Sequence, residues 1–211
     1  MISNSITQPP HRALLAALVC WGLLKVNDLF LIGQTSYRWF LAVDYISKSL
    51  CLVALPILIG VRRWPDIIPM ARPAAGMTVA LIATIIAVDY GLDWLGVSEL
   101  WPATRLTRWP PSDWPAVQLF DLTFGLALTA VVEEFVFRGV LLTALAARGW
   151  SVLTSALMSS LLFGAIHWSS GLGSTLSSTA DGLVLCAAVA ATRSIWPGVA
   201  AHFIVNLRYF W

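Results

Sequence analysis

Charge is what this sequence has least of. Only 11% of its 211 residues are Asp, Glu, Lys or Arg, less than half the ~25% of an ordinary soluble domain, while 58% are hydrophobic. The solvating surface of a water-soluble globule is therefore missing. No dense basic tract occurs and the net charge is +2, so nucleic-acid binding has no electrostatic footprint. Cysteine is scarce: Cys20, Cys51 and Cys186 fall in apolar segments without framework spacing, as lipid-facing or packing residues and not a disulfide or metal set. MISNSITQPPHR makes a weak n-region and no small-x-small cleavage site follows, so the first apolar run reads as a retained helix. No internal repeat is evident, which argues against the common transporter plans. No Ser or Cys sits in a nucleophile constellation, which disfavours acyl-enzyme chemistry.

What remains is enough apolar chain for six to eight membrane helices of about 20 residues. We expect an all-α, polytopic integral membrane bundle of about seven transmembrane helices, residues 1–211 forming a single domain. The spans run from about Ala13 to Gly33, Trp39 to Gly60, Ala74 to Leu95, Ala116 to Ala147, Val152 to Trp168, Thr179 to Thr192 and Ile195 to Tyr209. Lys25/Asp28 and Asp44/Lys48 have the spacing of intrahelical pairs. Gly33 to Ser36 reads as a turn, Arg62 to Pro73 as a short polar link, and Ser169 to Ser178 as a Gly/Ser/Thr loop. Gly149 is placed to stop the fourth helix. Gly96 to Pro115, with Trp101, Trp109, Trp114 and four prolines, cannot be one regular helix and is expected along the membrane surface. Eleven tryptophans crowd around the helix ends as an interfacial belt would. Arg12, Arg62, Arg63, Arg72, Arg148 and Arg193 fall on one side of this topology. The positive-inside rule then puts the N-terminus in the cytoplasm and the Trp/Pro link outside, and the compact, Trp-rich chain leads us to expect a bacterial inner membrane.

Two adjacent carboxylates, Glu133 and Glu134, stand in the middle of the apolar run VVEEFVFRGVLL. Each acid at mid-bilayer costs roughly 2.5–3.5 kcal/mol on insertion scales, so an adjacent pair points to function. Glu134 and Arg138 are four apart and share a helix face, as an ion pair requires. Glu133 lies about 140° round the helix from Arg138 and is available to act as a general base. His167 falls late in the fifth span. His202 and Asn206, four apart on the last, offer N–H donors toward a common point, which suits stabilising an oxyanion. At about 1.5 Å per residue these positions lie in the middle-to-outer half of a core about 30 Å thick.

EEFVFRG (Glu133 to Gly139), FGAIHW (Phe163 to Trp168) and HFIVN (His202 to Asn206) follow one another in order on the fourth, fifth and seventh expected helices. In order and spacing they resemble the signature segments of the CPBP family, the CAAX-protease and bacteriocin-processing integral membrane proteins. The resemblance covers residues 116–211, the expected catalytic core. It implies an intramembrane glutamic endopeptidase in which Glu133 activates water. His167 would hold that water or shuttle its proton, and His202 with Asn206 would stabilise the oxyanion. Glu134 and Arg138 would support the geometry. No cofactor is expected. Zinc on Glu133, His167 and His202 is the alternative, disfavoured because zinc hydrolases usually present a tight ligand pair such as HExxH. The expected partners are the lipid bilayer and a membrane-anchored protein or peptide, with processing of a C-terminal sorting tail or a propeptide as the working reading. Two rivals are a bacteriocin-immunity type membrane binder without enzymatic activity and a proton-coupled transporter, since Glu/His chains also build proton relays.

Overall fold

The computed structural model describes residues 10–32, 36–107 and 114–210. Within them stand seven long helices: α1 (Pro10–Leu31), α2 (Tyr37–Ile59), α3 (Ala75–Trp94), α4 (Pro115–Ala147), α5 (Val152–Ala165), α6 (Leu172–Thr192) and α7 (Trp196–Phe210). Part of the expected Gly33–Ser36 turn lies outside the described residues, as do Arg108, Trp109, Pro110, Pro111 and Asp113 of the Trp/Pro link. The fold is an all-α membrane bundle. Four helices, α2, α3, α4 and α6, are long and apolar enough to cross a membrane. At 14 and 15 residues, α5 and α7 rise only about 21 and 22 Å, short of a hydrocarbon core about 30 Å thick.

Local chemistry sets the helix ends. Pro115 opens α4 at a position where its missing N–H costs nothing. Ser151 caps α5, its side chain accepting from Thr154 N at 3.1 Å. Gly60 ends α2 in the left-handed region (φ 82°), and Gly149 follows α4 with φ 85°.

The central element is α4, which packs against α1, α2, α5, α6 and α7. Small residues on α1 (Ala13, Ala16, Ala17 and Cys20) are fully buried and let α2 approach closely. There Cys20 and Cys51 exchange contacts, each thiol lying against the other's backbone carbonyl at 3.8 and 3.6 Å. Both cysteines are therefore packing residues of the interior.

Three segments differ from expectation. The link after α2 is not merely polar: a 3-10 turn, Trp64–Asp66, drives Ile67 and Ile68 into the core. Its far end pairs with the chain after α6, Ala71 N donating to Arg193 O and Ile195 N to Pro69 O, both at 3.0 Å. α5 ends at Ala165, and a 3-10 turn, Trp168–Ser170, follows. α6 begins at Leu172, seven residues earlier than expected. Its Ser/Thr/Gly composition reads as loop, yet Thr175 and Thr179 bond back to the carbonyls of Gly171 and Thr175 at 3.1 and 2.7 Å. Tertiary packing then decides: the bare faces of Gly164 and Gly173 lie against neighbouring backbone.

A side chain at Gly164 has no room. Its Cβ would stand 1.9 Å from Thr179 Oγ1 and 2.6 Å from the Thr175 carbonyl of α6. Gly164→Ala is expected to push α5 off α6 and cost about 1–3 kcal/mol, read as a lowered midpoint in thermal unfolding of the detergent-solubilised protein. An unchanged midpoint would show that this helix contact is looser than described.

Candidate active site

Directly after the two glutamates α4 changes its winding. Phe135–Leu141 forms a π-helical stretch, a feature often found at functional sites and one with no sequence signature. Arg138 nonetheless returns to Glu134, its Nη1 lying 3.0 Å from Oε1, and both side chains are fully buried. The guanidinium also stacks 4.0 Å from the Phe163 ring centre, which supplies a cation–π contact in place of water.

α7 brings His202 to the same acids. Its Nδ1 donates to Glu134 Oε1 at 3.1 Å, while Nε2 lies 3.6 Å from Glu133 Oε2. Gly198, one turn earlier on the same face, makes this approach possible: a Cβ there would meet Glu134 Oε2 at 3.1 Å. Glu134 is thus engaged by two groups, and it fixes the orientation of the imidazole. Glu133 has no hydrogen bond at Oε2 and faces the other ring nitrogen.

His167 is not helical, contrary to expectation; it sits in the turn past the end of α5. Its backbone N–H still bonds to Gly164 O at 2.8 Å, and its Nδ1 lies 3.1 Å from Phe163 O. A carbonyl can only accept, so Nδ1 carries the proton and Nε2 of the neutral ring keeps its lone pair. Both histidines stand edge-on to Phe163, at ring separations of 5.1 and 5.6 Å. Phe163 is therefore the apolar hub that spaces Arg138, His167 and His202.

Glu133, His167, His202 and Asn206 all line one cavity of about 370 Å³, whereas Glu134 and Arg138 stand behind its wall. Among the described residues no group of three His, Cys, Asp or Glu side chains is arranged to hold a metal ion. The alternative zinc set of Glu133, His167 and His202 thus does not fit.

Residues 115–208 match the family model of Rce1-like type II CAAX prenyl endopeptidases. This segment belongs to the CAAX-endopeptidase family. The match indicates a protease, and the four membrane-capable helices support an integral membrane protein. Comparison with curated proteins and with solved structures yields no match.

Several cavity residues escape sequence reasoning. Asp181 of α6 lines the same cavity, and its Oδ1 is buried without a hydrogen-bond partner. An acid inside an apolar span was the signal that could have found it. Lys48 also lines the cavity, joined to Asp44 on its own helix and to Thr129 Oγ1 on α4 at 2.6 Å. The described part of the Trp/Pro link grips the turn that carries His167. Leu106 N and Thr107 N both donate to Ser169 O, at 2.8 and 3.1 Å, and Leu172 N donates to Thr104 Oγ1 at 2.9 Å.

Proposed function

We propose that this CAAX endopeptidase hydrolyses a peptide bond of a membrane-anchored protein or peptide with water activated by Glu133. The observation that carries the proposal is the convergence of Glu133, His167, His202 and Asn206 on one cavity, with a buried ion pair behind it. Glu133 removes a proton from water, whose oxygen adds to the scissile carbonyl carbon. With hydrogen on both ring nitrogens, His202 donates to Glu134 through Nδ1 and to the developing oxyanion through Nε2, while the Asn206 amide supplies a second donor. The tetrahedral species collapses as the C–N bond breaks, and the proton held by Glu133 passes to the leaving amine. His167, with its lone pair on Nε2, orients the attacking water. No covalent enzyme intermediate forms.

The substrate we infer is a C-terminal sorting tail or propeptide presented on the non-cytoplasmic side, the N-terminus of the protease lying in the cytoplasm. Residues 1–211 act as one membrane domain with the catalytic core at 116–211. The deciding experiment compares wild type with Glu133→Gln and His167→Ala in a native host, by quantitative mass spectrometry of membrane-protein termini with and without a chelator. A small set of termini should vanish in both variants and persist under chelation. Loss of the same termini on chelation would replace the glutamate mechanism with a metal-dependent one. No change in any terminus, with both variants folded, would refute proteolysis.

A further inference from the structure

α1 lies outside the family segment, yet two of its side chains reach the end of α5, just before the turn that holds His167. Trp21 Nε1 donates to Leu162 O at 3.0 Å, and Lys25 Nζ donates to Ile166 O. The donors are four residues apart on α1 and the acceptors four apart on the chain of α5, so the two contacts form one register. The last carbonyls of a helix have no intrahelical partner and carry the negative end of its dipole, which a lysine suits well. Lys25 also lies 5.9 Å from the Trp168 ring centre. It therefore touches both chain neighbours of His167, Ile166 by its carbonyl and Trp168 by its ring. Asp28, which lines the cavity, holds the ammonium from the other side.

We propose that Lys25, seconded by Trp21, is a positioning residue for His167: it locks the turn past α5 so that the imidazole faces the cavity with Nδ1 tied to Phe163 O. The role rests on the proteolytic reading of the site, but the geometry can be tested apart from it. His167 touches the cavity; Lys25 acts only through it.

The chain has three histidines, His11, His167 and His202, so ring-¹⁵N labelling gives three imidazole signal sets in detergent. The double variant Lys25→Met/Asp28→Asn removes the clamp without leaving a lone carboxylate. It should shift and broaden the His167 ring signals while those of His202 hold. Lys25→Arg should restore them, and Asp28→Asn alone should leave them near wild type, because the bond to Ile166 O survives. In parallel, an internally quenched peptide ending in a prenylated Cys-aliphatic-aliphatic-X sequence serves as the activity probe in liposomes. With it, the double variant should lose on the order of 100-fold in kcat with KM within about twofold, and Lys25→Arg should recover most of the loss. Unchanged His167 signals in the folded double variant overturn the proposal, as does an equal kcat loss in Lys25→Arg. If the double variant does not fold, Trp21→Phe decides: it should move His167 in the same direction by less, and no movement refutes the role. Wild type inert toward the peptide would count against that substrate alone, and the imidazole spectra would still decide the positioning role.

Discussion

Glu133→Gln is expected to lower turnover by about 10²–10⁴-fold, the usual contribution of a general base, while the protein stays folded. The amide keeps the shape of the side chain but cannot accept the proton of water. Little stability is at stake, because Glu133 Oε2 makes no hydrogen bond and lies 3.6 Å from His202 Nε2. Glu134, one residue on, fixes that ring through the opposite nitrogen, so the histidine keeps its place in the variant. Turnover of whichever host termini the native-host comparison reveals, with a thermal midpoint measured in the same detergent, checks both halves. Activity retained within a few-fold would remove Glu133 from the role of base. A collapse of the midpoint would make it a structural acid.

Arg138→Ala should fail in the opposite way. Arg138 and Glu134 have no exposed surface, and truncating one partner leaves a buried charge uncompensated, at about 3–5 kcal/mol. The guanidinium also fills the space beside Phe163, so the lost packing adds to the electrostatic cost. Against a total stability of about 5–15 kcal/mol, the expected result is a sharp fall in folded, extractable protein. Replacing both members, Glu134→Leu with Arg138→Met, should recover yield, because a well-packed apolar pair substitutes for a buried ion pair. It should not recover turnover, since His202 Nδ1 then lacks its acceptor. Yield and activity rising together in the double variant would contradict a role for Glu134 in orienting the imidazole.

The parts of this site that show in the sequence are those written within one helix. Glu134 and Arg138 are four residues apart, and helical periodicity alone places them together. His202 and Asn206 share a face for the same reason. The wall behind them does not show. The contact of Lys25 with the Ile166 carbonyl joins residues 141 apart, and that of Leu106 with Ser169 is purely backbone, so neither leaves a pattern of residue types. The π-helical winding after Glu134 changes side-chain directions, and the single Gly139 within it does not announce it, because an isolated glycine is tolerated in an ordinary helix. The start of α6 was hidden by composition. Its serines, threonines and glycines have the profile of a loop, and only the close fit of Gly173 against the carbonyls of Val97, Ser98 and Leu100 shows why they are helical.

The brevity of α5 and α7 has a further consequence for the lipid around the protease. Helices that rise only about 21 and 22 Å leave roughly a quarter of the hydrocarbon thickness unmatched where they meet lipid. A bilayer meets such a shortfall by thinning locally. Thinning at α5 would bring the polar boundary nearer the end of that helix, where the His167 turn begins. A membrane-anchored substrate would then meet the proposed catalytic groups nearer the headgroups, and the extent of thinning would set how many residues separate its anchor from the bond that is cut.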